Sequence, residues 1–203
     1  SISQRLYQLA KEQGVLFNFN QPVESIVHKD KRVVGVQSNG NIYSADLVVS
    51  NMDIFSSYAK LLKDLSMPRR ILKQERSSSA LIFYWGIRRQ FPQLDLHNIF
   101  FSADYRNEFQ KLFEEHDLSD DPTVYINITS KEENHAPPGC ENWFVMINAP
   151  GNFGQDWGKL KKQARKNIIN KINRLLNVSL EELIEVEEVL DPIGIEANTH
   201  THR

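Results

Sequence analysis

The amino-acid sequence predicts an α+β protein in two parts: a helix and β-meander over residues 1–53, then a mixed or antiparallel sheet covered by helices over residues 54–203. Three observations carry this expectation. Short apolar runs alternate with turns between residues 14 and 53, around Asn39-Gly40, the strongest hairpin signal in the chain. Roughly five more strand-like runs follow residue 77, in an order that is not a regular βαβ alternation. A long amphipathic segment at residues 156–176 supplies a helix to cover them.

Each element has a local reason. Residues 2–13 put Ile2, Leu6, Leu9 and Ala10 on one side at helical spacing, and Gly14 stands where a left-handed cap belongs. Residues 15–19 read as a short strand with Val15, Phe17 and Phe19 on one face. Residues 22–28 and 32–38 read as strands joined by a charged turn at Asp30, and a further strand from Ile42 leads into a return strand at 47–50. Residues 54–65 predict a short helix with Tyr58, Leu61, Leu62 and Leu65 inward, continued by a basic, partly helical stretch to Gln74. The apolar run 80–87, the runs 97–102, 123–128, 143–148 and 184–190 predict strands. Helices are expected at 105–116 and 156–176, with a short turn at 179–183. The loop 131–141, with Pro137-Pro138-Gly139, is expected to be exposed. The tail from Pro192 shows no period.

Composition excludes several classes. With 203 residues, 40% hydrophobic and 25% charged, the chain has the profile of an ordered globular protein. A net charge of −2 gives no general attraction to nucleic acid, and none is expected as a partner. The one cysteine, Cys140, cannot form an internal disulfide and favours a cytoplasmic setting. No apolar run approaches the roughly 20 residues of a membrane span. His200 and His202 form an H-x-H pair without a third ligand nearby, so no metal site is expected. Nor does a hydrolase elbow or nucleophile spacing appear around Ser77–Ser79 or Cys140.

Several phrases resemble the bacterial carotenoid desaturases of the phytoene dehydrogenase family. They are Ala45-Asp46-Leu47-Val48-Val49-Ser50-Asn51-Met52-Asp53, Ser77-Ser78-Ser79-Ala80 leading to Phe83-Tyr84-Trp85-Gly86, His97-Asn98-Ile99-Phe100-Phe101, Pro122-Thr123-Val124-Tyr125-Ile126, and Ala149-Pro150. Their order and spacing cover nearly the whole chain. The resemblance implies an FAD-dependent oxidoreductase that dehydrogenates a long polyene hydrocarbon such as phytoene in carotenoid synthesis. It also implies an interior piece: residues 1–53 as a β-meander remnant of an FAD-binding domain and 54–203 as most of a substrate domain. The sequence contains no G-x-G-x-x-G, since Gly151, Gly154 and Gly158 have the wrong spacing, so the piece alone is not expected to hold FAD tightly or to turn over.

The resemblance assigns residues as well. Val23, before the first meander turn, would meet the adenine of FAD through its backbone, beside the simpler reading of an inward strand residue. Asn51 would end a strand running back to the cofactor, beside the simpler reading of a turn or helix cap. Leu81, Phe83 and Trp85 share one face of a strand and, with Phe100 and Phe101, would line a hydrophobic tunnel; the alternative is that both faces are core. A polyene offers no hydrogen bonds, so shape and apolar area, at roughly 25 cal/mol per Å², must recognise it. The missing nucleophile is no objection, because the cofactor carries the redox chemistry. Lys159, Lys161, Lys162, Arg165, Lys166, Lys171 and Arg174 give helix 156–176 a basic face, either solvated or in peripheral contact with a membrane. Two alternatives stand beside the desaturase: a related flavoprotein of amine-oxidase or retinol-saturase type, and a non-catalytic domain binding a hydrophobic ligand. An apolar meander surface predicts a homodimer of the piece.

Overall fold

The computed structural model describes residues 1–73 and 77–199, and by contact it forms two units, Ser1–Lys73 and Gln74–Arg203. The first opens on helix α1 (Ile2–Glu12). Its Ser1 hydroxyl accepts from the Gln4 amide while the Gln4 side chain accepts from the Ser1 terminus, a reciprocal cap. Gly14 adopts φ 85° just past its end, the left-handed residue that the sequence predicts. Strands β1 (Ser25–Lys29), β2 (Arg32–Ser38) and β3 (Asn41–Ser44) then form an antiparallel meander. Its two-residue turns both use positive φ: Asp30 at 50° and Lys31 at 64°, then Asn39 at 49° and Gly40 at 74°. That pattern matches the right-handed twist of the flanking strands.

Three sequence expectations fail in this unit. Residues 15–19 and 47–50 are not strands, because a strand needs a ladder and no partner strand lies beside them among the described residues. Phe17 and Phe19 stack instead at 5.7 Å, with Tyr7 against Phe17 at 4.6 Å. The helix expected over 54–65 is shorter: α2 (Ile54–Ser56) passes into a π-helical turn, Ser57–Leu61, and stops at Leu62, leaving Leu65 exposed. α3 (Arg69–Leu72) follows; Gln74 lies outside the described residues. Residues 54–73 pack with this unit, tied by His28 Nε2 to Asp64 Oδ2 at 2.8 Å and by Ser50 to Ser57 through their hydroxyls at 2.9 Å.

The second unit is a five-stranded antiparallel sheet in the order β5-β6-β7-β4-β8. Its strands are β4 (Ser79–Ile87), β5 (His97–Phe100), β6 (Val124–Asn127), β7 (Glu141–Ala149) and β8 (Ile184–Leu190). Between β5 and β6 lies α4 (Tyr105–Gln110), continued by a π-helical turn at Lys111–Glu115 and closed by His116 at φ 54°. Helix α5 (Trp157–Leu176) starts at the Asp156 carboxylate, which accepts from the Lys159 amide. Its apolar stripe, including Ala164, Ile168 and Ile172, is buried in one core with Leu81, Phe83, Val124, Val145 and Ile147. One face of the sheet is thus covered. The expected loop 131–141 ends earlier than predicted, since Glu141 belongs to β7 and is buried, bonded to the Trp143 indole and the Phe91 amide and ion-paired with Lys131.

The tail holds a helix that its pattern did not announce, α6 (Pro192–Thr199). It forms because Pro192 suits the first helical position and the Asp191 carboxylate accepts from the Gly194 amide. Burial pushes the Asp191 carboxyl up, but Lys161 Nζ at 2.8 Å and the Gly194 amide outweigh it and hold its pKa below the ordinary value. A depressed folded pKa means the cap is fully effective above about pH 4 and fades as pH falls through the lower folded value. The protection of the Ile195 amide against hydrogen exchange, relative to its intrinsic rate at each pH, is therefore expected to fall below pH 4 in the native protein, since this amide bonds to Asp191 O. In Asp191→Asn that acid response should vanish.

Candidate functional site

Directly opposed residues in a sheet point to the same face, so the register defines the face that α5 leaves uncovered. One row across it reads His97, Asn127, Phe144, Tyr84 and Glu188; the next reads Ile99, Tyr125, Met146, Ile82 and Leu190. Four strand spacings make this face about 19 Å wide. A continuous strip of rings crosses most of it. His97 stacks on Tyr125 at 6.1 Å, Tyr125 meets Phe144 edge-on at 6.2 Å, and Phe144 meets Tyr84 edge-on at 5.6 Å. These are favourable aromatic geometries, so the strip is ordered before any ligand arrives. Tyr84 is 43% exposed and Ile99 53% exposed, and Phe144 and Met146 are half-buried.

The residues expected to line a tunnel sit elsewhere. Leu81, Phe83 and Trp85 are 0–1% exposed on the face under α5, where Glu187 accepts from Trp85 Nε1 at 2.6 Å and from Arg165 Nε at 2.7 Å. They are core; of the alternate residues on β4, Tyr84 is open to the other face, while Ile82 is itself buried. Phe100 is half-buried against the same core. Phe101 is 69% exposed beyond the end of β5, and its carbonyl accepts from Lys171 Nζ. Sequence reasoning missed Tyr84, Tyr125 and Phe144 as a group; the available signal was the alternation of rings on β4 and β7, which only register could combine.

Val23 is half exposed, just before the ladder that begins with the Glu24 amide donating to Gln37 O. Its own amide and carbonyl have no hydrogen-bond partner among the described residues. Asn51 is exposed, and the helix cap after it is Asp53, whose carboxylate accepts from the Ser56 amide. An open cleft of about 440 Å³ in the first unit is lined by His28, Gln37, Ile42, Lys60 and Asp64. No cluster among the described residues could hold a metal ion, and His200 and His202 lie outside them. No helix of the described residues is long and apolar enough to cross a membrane. On α5 the apolar stripe is spent in the core, Lys171 turns inward, and Lys161 and Arg165 pair with Asp191, Glu181 and Glu187.

The second unit is thus an antiparallel sheet with one face packed under α5 and a strip of rings on the other. Comparison with known proteins finds relatives along the whole chain. The chain is 56% identical over its entire length to a 1-hydroxycarotenoid 3,4-desaturase from Flavobacterium sp. (strain P99-3), of which it covers 42%. It is 31% identical to the phytoene desaturase of Phycomyces blakesleeanus, over 95% of the chain and 35% of that protein. It is 32% identical to a 4,4'-diapolycopene oxygenase from Methylomonas sp, over 100% of the chain and 42% of that protein. The chain thus spans less than half the length of these curated relatives. A crystal structure of an oxidoreductase from Methanosarcina mazei shares the fold at a TM-score of 0.54 and 13% identity, over 92% of this chain and 39% of that one. No family model matches. Along its whole length the chain is thus similar to part of several carotenoid desaturases.

Proposed function

We propose that the chain is part of an FAD-dependent carotenoid desaturase and that its five-stranded sheet holds the polyene along the ring strip of the open face. The observation that carries this reading is 56% identity to a named desaturase over the entire chain, with the exposed strip as the matching apolar surface. The relatives described above bear carotenoid names, so amine-oxidase and retinol-saturase chemistry and a purely non-catalytic role are not favoured. The name of the 56% identical relative adds a substrate feature, a hydroxyl on the carotenoid, and we extend that class to this protein.

In this reading residues 1–53 belong to the FAD-binding part and 54–203 to the substrate part, a functional division that falls inside the first compact unit. The Val23 backbone would hold the adenine and Asn51 would lie beside the cofactor. Bound flavin supplies the two-electron oxidation. The chain's own residues bind and orient: Tyr84, Tyr125 and Phe144 offer ring faces to a rod-like polyene, and Ile99 and Met146 flank them, excluding water by apolar area. Incubating the full-length gene product with phytoene or a hydroxylated carotenoid should produce the red-shifted absorption of a longer conjugated system. A flavin-loaded protein that leaves both spectra unchanged would sink the proposal.

Peripheral contact with a membrane, from which so apolar a substrate must come, belongs to the same proposal. So does pairing of two copies through the first unit, where Ile2, Leu6, Leu16, Phe19, Leu47 and Val49 are all exposed. Light scattering on the 203-residue chain is expected to give a mass above 23.5 kDa at roughly hundred-micromolar concentration, where weak contacts register. A monodisperse monomer would count against pairing.

A further inference from the structure

The ring strip ends in polar chemistry that a plain hydrocarbon does not use. At the β5 edge, Asn127 Nδ2 lies 3.0 Å from the Leu96 carbonyl and 3.2 Å from His97 Nδ1, and the Tyr125 hydroxyl lies 2.8 Å from the same Nδ1. The Leu96 carbonyl can only accept, which fixes the Asn127 nitrogen, and not its oxygen, on this side. Asn127 therefore donates to the Leu96 carbonyl, and the single Nδ1 lone pair or Nδ1–H of His97 is left to the Tyr125 hydroxyl at 2.8 Å. If Tyr125 donates to Nδ1, then Nε2 carries the ring proton and the phenol oxygen accepts; if Nδ1 donates to Tyr125, then Nε2 accepts and the phenol donates. In either tautomer the pair presents one donor and one acceptor side by side. Nε2 has no partner among the described residues.

A hydroxyl both donates and accepts, and it is the group that such a pair fits. We propose that His97, Tyr125 and Asn127 form a clasp for the hydroxyl-bearing end of an otherwise apolar polyene lying along the strip, and so set the substrate specificity of the protein. The proposal rests on the desaturase reading above. Asn127 is a positioning residue, anchored on the Leu96 carbonyl against the imidazole; His97 and Tyr125 touch the hydroxyl. The register supports the division of labour. His97 and Asn127 face each other directly, with Phe144 next in the row, so a chain held at His97 runs straight onto the rings. Selectivity follows because a polyene without the hydroxyl leaves the donor and acceptor unmatched under an apolar end.

The test uses the full-length protein and two polyenes of equal length, one with a terminal hydroxyl and one without, with equilibrium binding and turnover read separately. Each net hydrogen bond contributes about 0.5–1.5 kcal/mol, so two should give roughly 5–150-fold tighter binding of the hydroxylated polyene. His97→Phe keeps a ring to stack on Tyr125 and should abolish that preference; Tyr125→Phe, a milder change, should cut it about 3–10-fold. In either variant the hydroxylated polyene should lose more affinity than the plain one. Equal binding of both polyenes by the unaltered protein, or equal losses on both in the folded variants, would overturn the clasp. Hydroxyl-selective binding without any turnover would support the clasp while sinking the desaturase reading, so the two ideas fail separately.

Discussion

Replacing Lys171 by methionine is expected to destabilise the sheet unit by about 3–5 kcal/mol, seen as a lower urea midpoint with an unchanged slope. The side chain comes from the middle of α5 and is almost wholly buried. Its ammonium donates to the carbonyls of Phe101 at 2.8 Å and Pro122 at 2.7 Å and pairs with Asp121 Oδ1 at 2.9 Å. Methionine fills the same channel but donates nothing, so two carbonyls lose their donor at a cost of desolvation, while the partly exposed Asp121 carboxylate keeps water and the Ala103 amide. Those carbonyls flank the chain between β5 and β6, so the strand bearing His97 loosens with them. A pH signature accompanies the loss. Burial pushes the Asp121 carboxyl up, yet the Ala103 amide, Lys171 and Arg174 hold its pKa below the ordinary value. Its contribution is thus complete above about pH 4 and lost as pH falls through the lower folded value. The Lys171→Met protein should show a weaker acid-induced loss than the native one. An unchanged urea midpoint would mean that water satisfies the two carbonyls and that the buried amine is dispensable.

Much of the architecture is legible along the chain because it is encoded locally. Asn39-Gly40 demands positive φ at both residues and takes it; α5 carries its stripe at helical period and its cap at Asp156; the run through 80–87 is a strand. The site is different, because it depends on long-range register. Leu81, Phe83 and Trp85 on one side of β4 and Ile82 and Tyr84 on the other are both strongly apolar, so alternation alone cannot say which side meets α5. Packing decides it: Ile168 and Ile172 close over the Leu81 side, and Arg165 reaches Glu187 beside Trp85. His97 and Asn127 are likewise thirty residues apart and are joined only by the β5–β6 pairing. Residues 15–19 and 47–50 fail for a related reason. Their composition favours strands, but a strand exists only where another edge offers the ladder.

Gly35→Ala is expected to disrupt the first unit selectively, at roughly 3 kcal/mol or more. Gly35 lies in β2 at φ 155°, opposite the irregularity between Val27 and His28 of β1. A Cβ built there would collide with the Tyr43 carbonyl oxygen and come within 3.0 Å of the Ser44 Cα on β3. Both are backbone atoms of a paired strand, so neither can swing aside as a flexible side chain would. Relief requires pulling β3 off β2, which breaks the pairing of Val36 with Tyr43 and removes the Tyr43 hydroxyl from Gln21. A second glycine gives the contrast. At Gly194 the added Cβ meets the Leu190 Cδ1 at 2.8 Å, the far end of a side chain that can rotate, so Gly194→Ala should cost much less. Hydrogen exchange reads the difference directly: in Gly35→Ala the amides of β2 and β3 should lose protection while those of β4 and β7 keep theirs. Retained protection at Val36 and Gln37 would show that the meander can absorb a methyl group at this position, and the close approach of its strands would then not be what requires a glycine.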